Sequence, residues 1–558
     1  MLKENKKWCL NGGILLTFIV IMEYFYFRNF IRTDLLFGDS GDGRLITLIL
    51  EHWYKFFCGK ENFADLIAFF PYKNTVAYSD LLLGFGIPYS ILRLFDLNMF
   101  LAAKWTFIAV HCLGSLIMGW LLFKKLKFNL SVCIVVLLIS MYSNTLLMRT
   151  LHPQLLSCCW YPVLMLCIYN FISNINNKRA RIFYGYALIA ASLILLYTGF
   201  YATYFYLLFL GFAAIVAGII CLVRQRTILN FIWELLIKNK IEFLGYALTT
   251  LLLAIPFLLL YLPVAEMSGM RDWNAVIASL PTFPNYFNLS PNNWLYGELF
   301  NKEYFTGDPL ACELRAGYSF GVWLLYLLCL FFYKERQSDQ KILSEKTFTN
   351  NVFLALGITL LLFFILLLRI NEQSLWYLIY KALPGAAALR AVVRFLTFLV
   401  FPLGLFIGFV LNNYLKETNN FLNLKKFGIL LIACWLFVEN INSGMITYWT
   451  LKDAQAAIKN VSAPPSDCEI MYVKIQPVIK RFTDHFNYQL TAWQISDKFN
   501  LKTINGYSGQ FPPNWMGIWE INSEKYLANV ESWIKHYQLK NVYSYNLLSQ
   551  RWEKHLEK

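Results

Sequence analysis

Charged residues are scarce in this chain. They make up 15% of its 558 residues, where a soluble globular protein carries roughly 25%. Apolar residues reach 58% and aromatics 18%, and the mean hydropathy is +0.47. Disorder, collagen and coiled coil are excluded by these numbers, and a small disulfide-stapled secreted domain is excluded by the length. The motifs of several common chemistries are also missing. No GxGxxG, P-loop, HExxH or CxxC pair occurs, which removes sequence support for nicotinamide chemistry, ATP hydrolysis and zinc peptidase activity. The 12 cysteines form no framework. Most lie in apolar runs, where a thiol packs as a small apolar group, and only Cys58, Cys312 and Cys468 lie elsewhere.

Against this background the basic residues stand out. Lys and Arg number 49 against 34 Asp and Glu, a net charge of +15. In a soluble protein that excess suggests nucleic acid; here its placement points to a membrane and to no nucleic acid. Apolar runs long enough to span a bilayer as helices recur at 9–27, 99–123, 130–148, 154–173, 183–199, 202–223, 241–262, 317–333, 348–369, 391–412 and 428–446. Every second connection is basic: Lys3, Lys6 and Lys7; Lys124, Lys125 and Lys127; Lys178, Arg179 and Arg181; then Arg224, Arg226, Lys238 and Lys240; Lys334, Arg336, Lys341 and Lys346; Lys416, Lys425 and Lys426. Basic short loops stay in the cytoplasm. The N-terminus is therefore expected inside and the C-terminal segment outside. The first run lacks a small-residue cleavage site after it and reads as a retained anchor.

The expected fold is an α-helical polytopic membrane protein of about 11 transmembrane helices over residues 1–447. A small extracytoplasmic α/β domain is expected over 448–558, with strands near 468–475 and 542–545 and helices near 476–489 and 523–538. The long connections, 28–98, 263–316, 370–390 and 447–558, all fall on the outer side, so any chemistry is expected there.

The first outer loop opens with Phe37-Gly38-Asp39-Ser40-Gly41-Asp42-Gly43-Arg44. Three glycines in six residues allow close backbone approach. An amphipathic helix follows, with Leu45, Ile46, Leu48, Ile49, Trp53, Phe56 and Phe57 on its apolar side and Arg44, Thr47, Glu51 and Lys55, beside His52, on the other. Such a helix is expected to lie in the membrane surface. Asp42 reads either as the cap of this helix or, with Asp39 beside it, as a functional carboxylate: a general base, or a hard-oxygen ligand to a divalent cation. Asp80, in Tyr78-Ser79-Asp80, is either a turn residue or a substrate contact. Arg149-Thr150-Leu151-His152-Pro153-Gln154 places polar groups at the bilayer edge, where they face either a cavity or solvent. Arg390 and Arg394 stand four apart, on one face of a helix, and lie on the outer side. Their position suggests phosphate, which guanidinium grips bidentately, or lipid headgroups. Tyr507 sits in the aromatic turn Asn505-Gly506-Tyr507-Ser508-Gly509, suited to stacking on a sugar or simply a surface loop.

A multi-spanning chain whose first outer loop sets a carboxylate at the start of an amphipathic helix resembles the GT-C superfamily of glycosyltransferases. The superfamily includes the protein O-mannosyltransferases and the lipid A aminoarabinose transferases. Gly38-Asp39-x-Gly41-Asp42-x-Arg44, Leu50-Glu51-His52, Tyr78-Ser79-Asp80, His152-Pro153-Gln154, Leu389-Arg390-Ala391-x-x-Arg394-Phe395 and Asn505-Gly506-Tyr507-Ser508-Gly509 together resemble a bacterial family of GT-C-type membrane proteins. The resemblance implies transfer of a sugar from a polyprenyl-phosphate donor to a glycan, lipid or protein acceptor of the cell envelope, at the outer face of a bacterial cytoplasmic (inner) membrane.

By that resemblance Asp42, with Asp39 second, matches the catalytic carboxylate. Arg390, Arg394, Arg44 and His152 would meet the donor phosphate, and Glu51, His52, Asp80, Gln154 and Tyr507 the substrates. No cofactor is demanded; Mg or Mn at Asp39 and Asp42 is the metal the paired carboxylates suggest. The Trp-Trp-Asp type motif of oligosaccharyltransferases is absent, which speaks against peptide N-glycosylation. Two other readings stand beside the enzyme: a lipid-linked-glycan flippase, and a catalytically silent envelope-assembly protein.

Overall fold

An apolar segment in a bilayer can satisfy its backbone hydrogen bonds internally only as a helix or in a closed barrel, and the long apolar runs of this chain are helical. The computed structural model describes residues 2–224, 233–307, 310–333, 345–416, 422–442, 447–475 and 485–555. Among them nine helices are long and apolar enough to cross a membrane: Trp8–Tyr26, Met99–Lys125, Leu130–Leu151, Pro153–Ser173, Lys178–Leu196, Phe200–Arg224, Lys240–Ser268, Asn350–Leu367 and Val392–Lys416. Two of the eleven expected runs do not reach that length and composition. The run at 317–333 forms only Phe320–Phe331, 12 residues and so about 18 Å long, short of a hydrocarbon core of about 30 Å. The run at 428–446 ends its helix, Leu422–Glu439, at Glu439, whose buried carboxylate accepts from the Gly321 amide and the Tyr296 hydroxyl. Arg226, Lys334, Arg336, Lys341 and residues 476–484 of a predicted helix lie outside the described residues.

Burial sorts the helices. In an apolar 18-residue stretch of Leu130–Leu151 and of Val392–Lys416, 83% of the residues are buried, against 17% in Phe200–Arg224 and in Lys240–Ser268. The first two form the centre, and the last two present apolar side chains outward, as lipid contact requires. A polar network also sits in the helical body. His111 holds Nδ1 3.0 Å from both oxygens of Glu23 and Nε2 2.8 Å from the Met141 carbonyl. The Tyr142 hydroxyl donates to Glu23 at 3.1 Å.

Near the end of the chain, β-branched and aromatic residues build a small sheet. After a two-residue hairpin in the helical region, β1 (Arg369–Ile370) with β2 (Gln373–Ser374), the strands are β3 (Ile470–Lys474), β4 (Lys502–Thr503), β5 (Val542–Asn546) and β6 (Arg551–Lys554). Their order is β4-β3-β5-β6; β3 pairs parallel with β4 and β5, and β5 pairs antiparallel with β6. Helices His485–Phe499 and Tyr526–His536 accompany the sheet.

The first long loop is sewn to this sheet. Thr503 donates to the Ile67 carbonyl at 2.9 Å, Phe69 to Asn505 at 3.0 Å and Phe70 to Thr503 at 2.9 Å. The Trp533 indole closes on the Phe70 carbonyl at 3.0 Å. One apolar core runs through both regions and contains Trp53, Phe69, Trp493 and Trp515 together.

This packing also shows what covers the amphipathic helix. Helix Asp42–Phe57 forms where the periodicity places it, but its polar face is buried too. Arg44 donates to the Asn487 carbonyl at 3.1 Å and to the Thr491 hydroxyl at 3.0 Å. Lys55 pairs with Asp497 at 2.8 Å. At Arg44 and Lys55 the polar stripe is therefore an internal seam against helix His485–Phe499.

Candidate functional site

The glycine-rich turn is shaped by close approach. Gly38 has φ +77°, and its amide donates to the Thr150 carbonyl at 2.8 Å, which ties the acidic turn to the turn carrying His152. A Cβ on Gly43 would lie 2.4 Å from the Phe37 carbonyl oxygen and 2.6 Å from the Trp449 ring. Only glycine fits there. The helix cap falls to Asp39: its Oδ1 accepts from the Gly41 and Asp42 amides at 2.9 and 2.7 Å. Asp42 is the first helical residue and does not cap with its side chain, which leaves its carboxylate for other partners.

Those partners are distant in sequence. His152 Nδ1 lies 2.7 Å from Asp42 Oδ2, and His152 Nε2 lies 3.7 Å from Glu313 Oε1. Glu313 in turn is gripped bidentately by Arg394, with Nε at 3.0 Å from Oε2 and Nη2 against Oε1. Arg149 Nη1 stands 3.5 Å from the same carboxylate. The result is a chain of alternating groups, Asp42–His152–Glu313–Arg394, with fully buried Arg149 behind it. The side chains of His152 and Asp42 are 23% and 28% exposed while Glu313 is 8% exposed, so the Asp42 end opens outward and the Glu313 end is enclosed.

Electrostatics follow from this layout. Burial pushes the Asp42 carboxyl up, but the hydrogen bond and charge of His152, the charge of Arg394 and the nearby Gln154 amide outweigh it and hold the group below its ordinary value. Burial likewise raises Glu313, yet Arg394, His152 and Arg149 bring it well below the usual carboxylate range.

The other predicted residues divide into two places. Tyr507 belongs with Asp42. Its ring packs against Phe486 and Trp519 at 6.0 and 5.9 Å. Burial and the charges of Asp42 and Asp39 raise its hydroxyl to about 12, with Arg390 opposing. Asp80 accepts from the Phe200 amide at 2.8 Å, capping helix Phe200–Arg224 from a remote loop. Its carboxyl is raised by burial, which the Phe200 amide and Arg394 only partly offset.

Arg390 and Arg394 are not on one helical face: the α-helix begins at Phe395, after a 3₁₀ turn Val392–Arg394. Arg390 is exposed, donates its amide to the Tyr201 hydroxyl at 2.9 Å and has no carboxylate partner among the described residues. Arg394 lies over the Tyr201 ring, 5.3 Å from its centroid.

Arg44, Glu51 and His52 lie away from Asp42. Arg44 faces helix His485–Phe499. Glu51 is held by Arg93 at 2.8 and 2.9 Å and by the Tyr89 hydroxyl. His52 Nδ1 meets Glu61 at 2.6 Å. Burial, with Glu51 and Glu61 nearby, raises Asp497 to about 6 although Lys55 opposes.

Glu313 escaped the sequence reading because a single acid in a long loop carries no periodic or motif signal. The pentapeptide Gly317-Tyr318-Ser319-Phe320-Gly321 has the spacing of a GxSxG nucleophile elbow, but buried Ser319 caps helix Phe320–Phe331 through its hydroxyl.

Each carboxylate of the acidic turn already has one oxygen engaged. Asp39 Oδ1 is spent on two amides and Asp42 Oδ2 on His152. Among the described residues no group of three or more His, Cys, Asp or Glu is placed to hold a metal ion. No protein-family model matches the chain, and no curated protein matches it in sequence.

Proposed function

We propose that this protein is a GT-C-type glycosyltransferase that moves a sugar from a polyprenyl-phosphate donor to an acceptor hydroxyl of the cell envelope, at the extracytoplasmic face of a bacterial inner membrane. The observation that carries the reading is the Asp42 carboxylate, kept ionised beside His152 at 2.7 Å, partly exposed, and linked through His152 and Glu313 to Arg394. The acceptor oxygen attacks the anomeric carbon as its proton passes to Asp42. The bond from that carbon to the phosphate oxygen breaks, and the polyprenyl phosphate leaves with the electron pair.

Exposed Arg390, with no carboxylate to satisfy it among the described residues, meets the departing phosphate directly. Arg394 is committed to Glu313 and acts from behind, as fixed positive charge. Tyr507, stacked against Trp519, supplies an aromatic wall for the sugar.

The test is transfer by purified protein, with polyprenyl-phosphate sugars and crude envelope glycan, comparing wild type with Asp42→Asn and Asp39→Asn. Loss of a positioned base costs about 10²–10⁴-fold, so Asp42→Asn should lose nearly all turnover. Asp39→Asn keeps an oxygen that can accept the same two amide bonds and should retain most of it. Equal activity in all three proteins rejects the assignment.

A further inference from the structure

The far end of helix Asp42–Phe57 borders a second polar space. Asp42 and Glu51 are nine residues apart, about 14 Å along a helix axis, and Glu51 lines a cavity of about 670 Å³. That volume lies in the range of ligand pockets. The walls come from the amphipathic helix, from the stretch around Arg93 and from helix His485–Phe499.

The charges lining it do not cancel. Glu51 is matched by Arg93 at 2.8 and 2.9 Å, and Asp497 by Lys55 at 2.8 Å. Lys60 and Lys498 also line the cavity, and among the described residues neither has a carboxylate partner. Lys498 reaches the carbonyls of Ile458 and Val461, at 3.2 and 3.4 Å, and lies over the Phe499 ring, 5.0 Å from its centroid. Two ammonium groups are therefore left uncompensated.

The cavity wall also carries an unused acceptor. Gln494 is 1% exposed. Its Nε2 donates to the Ala454 carbonyl at 2.9 Å, which fixes the orientation of the amide because the reverse would set oxygen against oxygen. That leaves Oε1 buried without a hydrogen bond. An unsatisfied buried acceptor is costly, and a ligand hydroxyl would satisfy it.

The geometry points to a binding site for an acidic saccharide, with a sugar hydroxyl donating to Gln494 Oε1 and the carboxylate or phosphate between Lys60 and Lys498. The site is separate from Asp42, and binding is read without turnover, so it stands or falls independently of the transfer reaction.

The test uses the full chain in nanodiscs of uncharged lipid, titrated calorimetrically with glucuronate, glucose 6-phosphate, glucose and inorganic phosphate. At least one acidic sugar should bind saturably, and whichever binds tighter identifies carboxylate or phosphate as the anion. Glucose and inorganic phosphate should bind at least roughly tenfold more weakly than that sugar, each lacking one of the two contacts. The Lys60→Gln/Lys498→Gln double variant, altered at exposed positions that leave the fold intact, should lose about tenfold, and Gln494→Met about fivefold. The proposal is overturned if neither acidic sugar binds, if glucose binds as tightly, or if the lysine double variant binds like wild type.

Discussion

Replacing Glu313 by glutamine is the sharpest test of the charge chain. The carboxylate pairs with two guanidinium groups, with a bidentate grip from Arg394 and Arg149 Nη1 at 3.5 Å. Their side chains are 11% and 0% exposed, so water cannot take over. Removing one partner of a buried pair costs about 3–5 kcal/mol, because the remaining charge is left uncompensated. The amide introduced by Glu313→Gln would keep one acceptor oxygen for Arg394, which places the expected loss near the lower end, about 3 kcal/mol.

The assay is SDS-induced unfolding of the purified protein in mixed micelles, followed by tryptophan fluorescence, for wild type, Glu313→Gln, Arg394→Gln and the double variant. In the double variant one of the stranded charges is gone. The two single losses should therefore fail to add by about 1–3 kcal/mol. A Glu313→Gln protein within about 0.5 kcal/mol of wild type, or strict additivity in the double variant, would refute the reasoning.

Two further outcomes follow from the same geometry. Asp42 and Glu313 are both held below their ordinary values, so their stabilisation is present above the normal carboxylate range of about 4 and is lost as pH falls below it; unfolding of wild type should therefore steepen in acid, and the Glu313→Gln protein should show less of that acid dependence. Gly43→Ala should destabilise by about 1–3 kcal/mol, since its Cβ meets the Phe37 carbonyl and Trp449, while Gly13→Ala, with nothing within 4 Å of the added carbon, should be neutral or slightly stabilising in the same unfolding assay.

Hydropathy made most of the helices legible, because bilayer length and apolar composition are local properties of the chain. It overcounted where a helix stopped early, as at Phe320–Phe331. The acidic turn was legible through its glycines, and the strands at 470–474 and 542–546 through their β-branched and aromatic runs. The partners were not. His152 reaches Asp42 across 110 residues and Glu313 reaches Arg394 across 81, and no local pattern encodes such pairings. The paired arginines misled for a related reason: helical spacing assumes a helix, and the chain enters its helix only at Phe395. The polar stripe of helix Asp42–Phe57 also read as solvent-facing because periodicity reveals that a face is polar but not what covers it.

The seam between the first loop and the sheet bears on the order in which the molecule is assembled. Phe70 accepts from Trp533, 463 residues later, and Arg44 is secured by Thr491, 447 residues later. During synthesis the early segment has no partner for its exposed amides and carbonyls until the closing stretch emerges. Its neighbours in the bilayer can settle well beforehand, so the region around Asp42 is among the last parts to acquire its final shape, and a ribosome that stalls late leaves a body of helices with an unfinished acidic end.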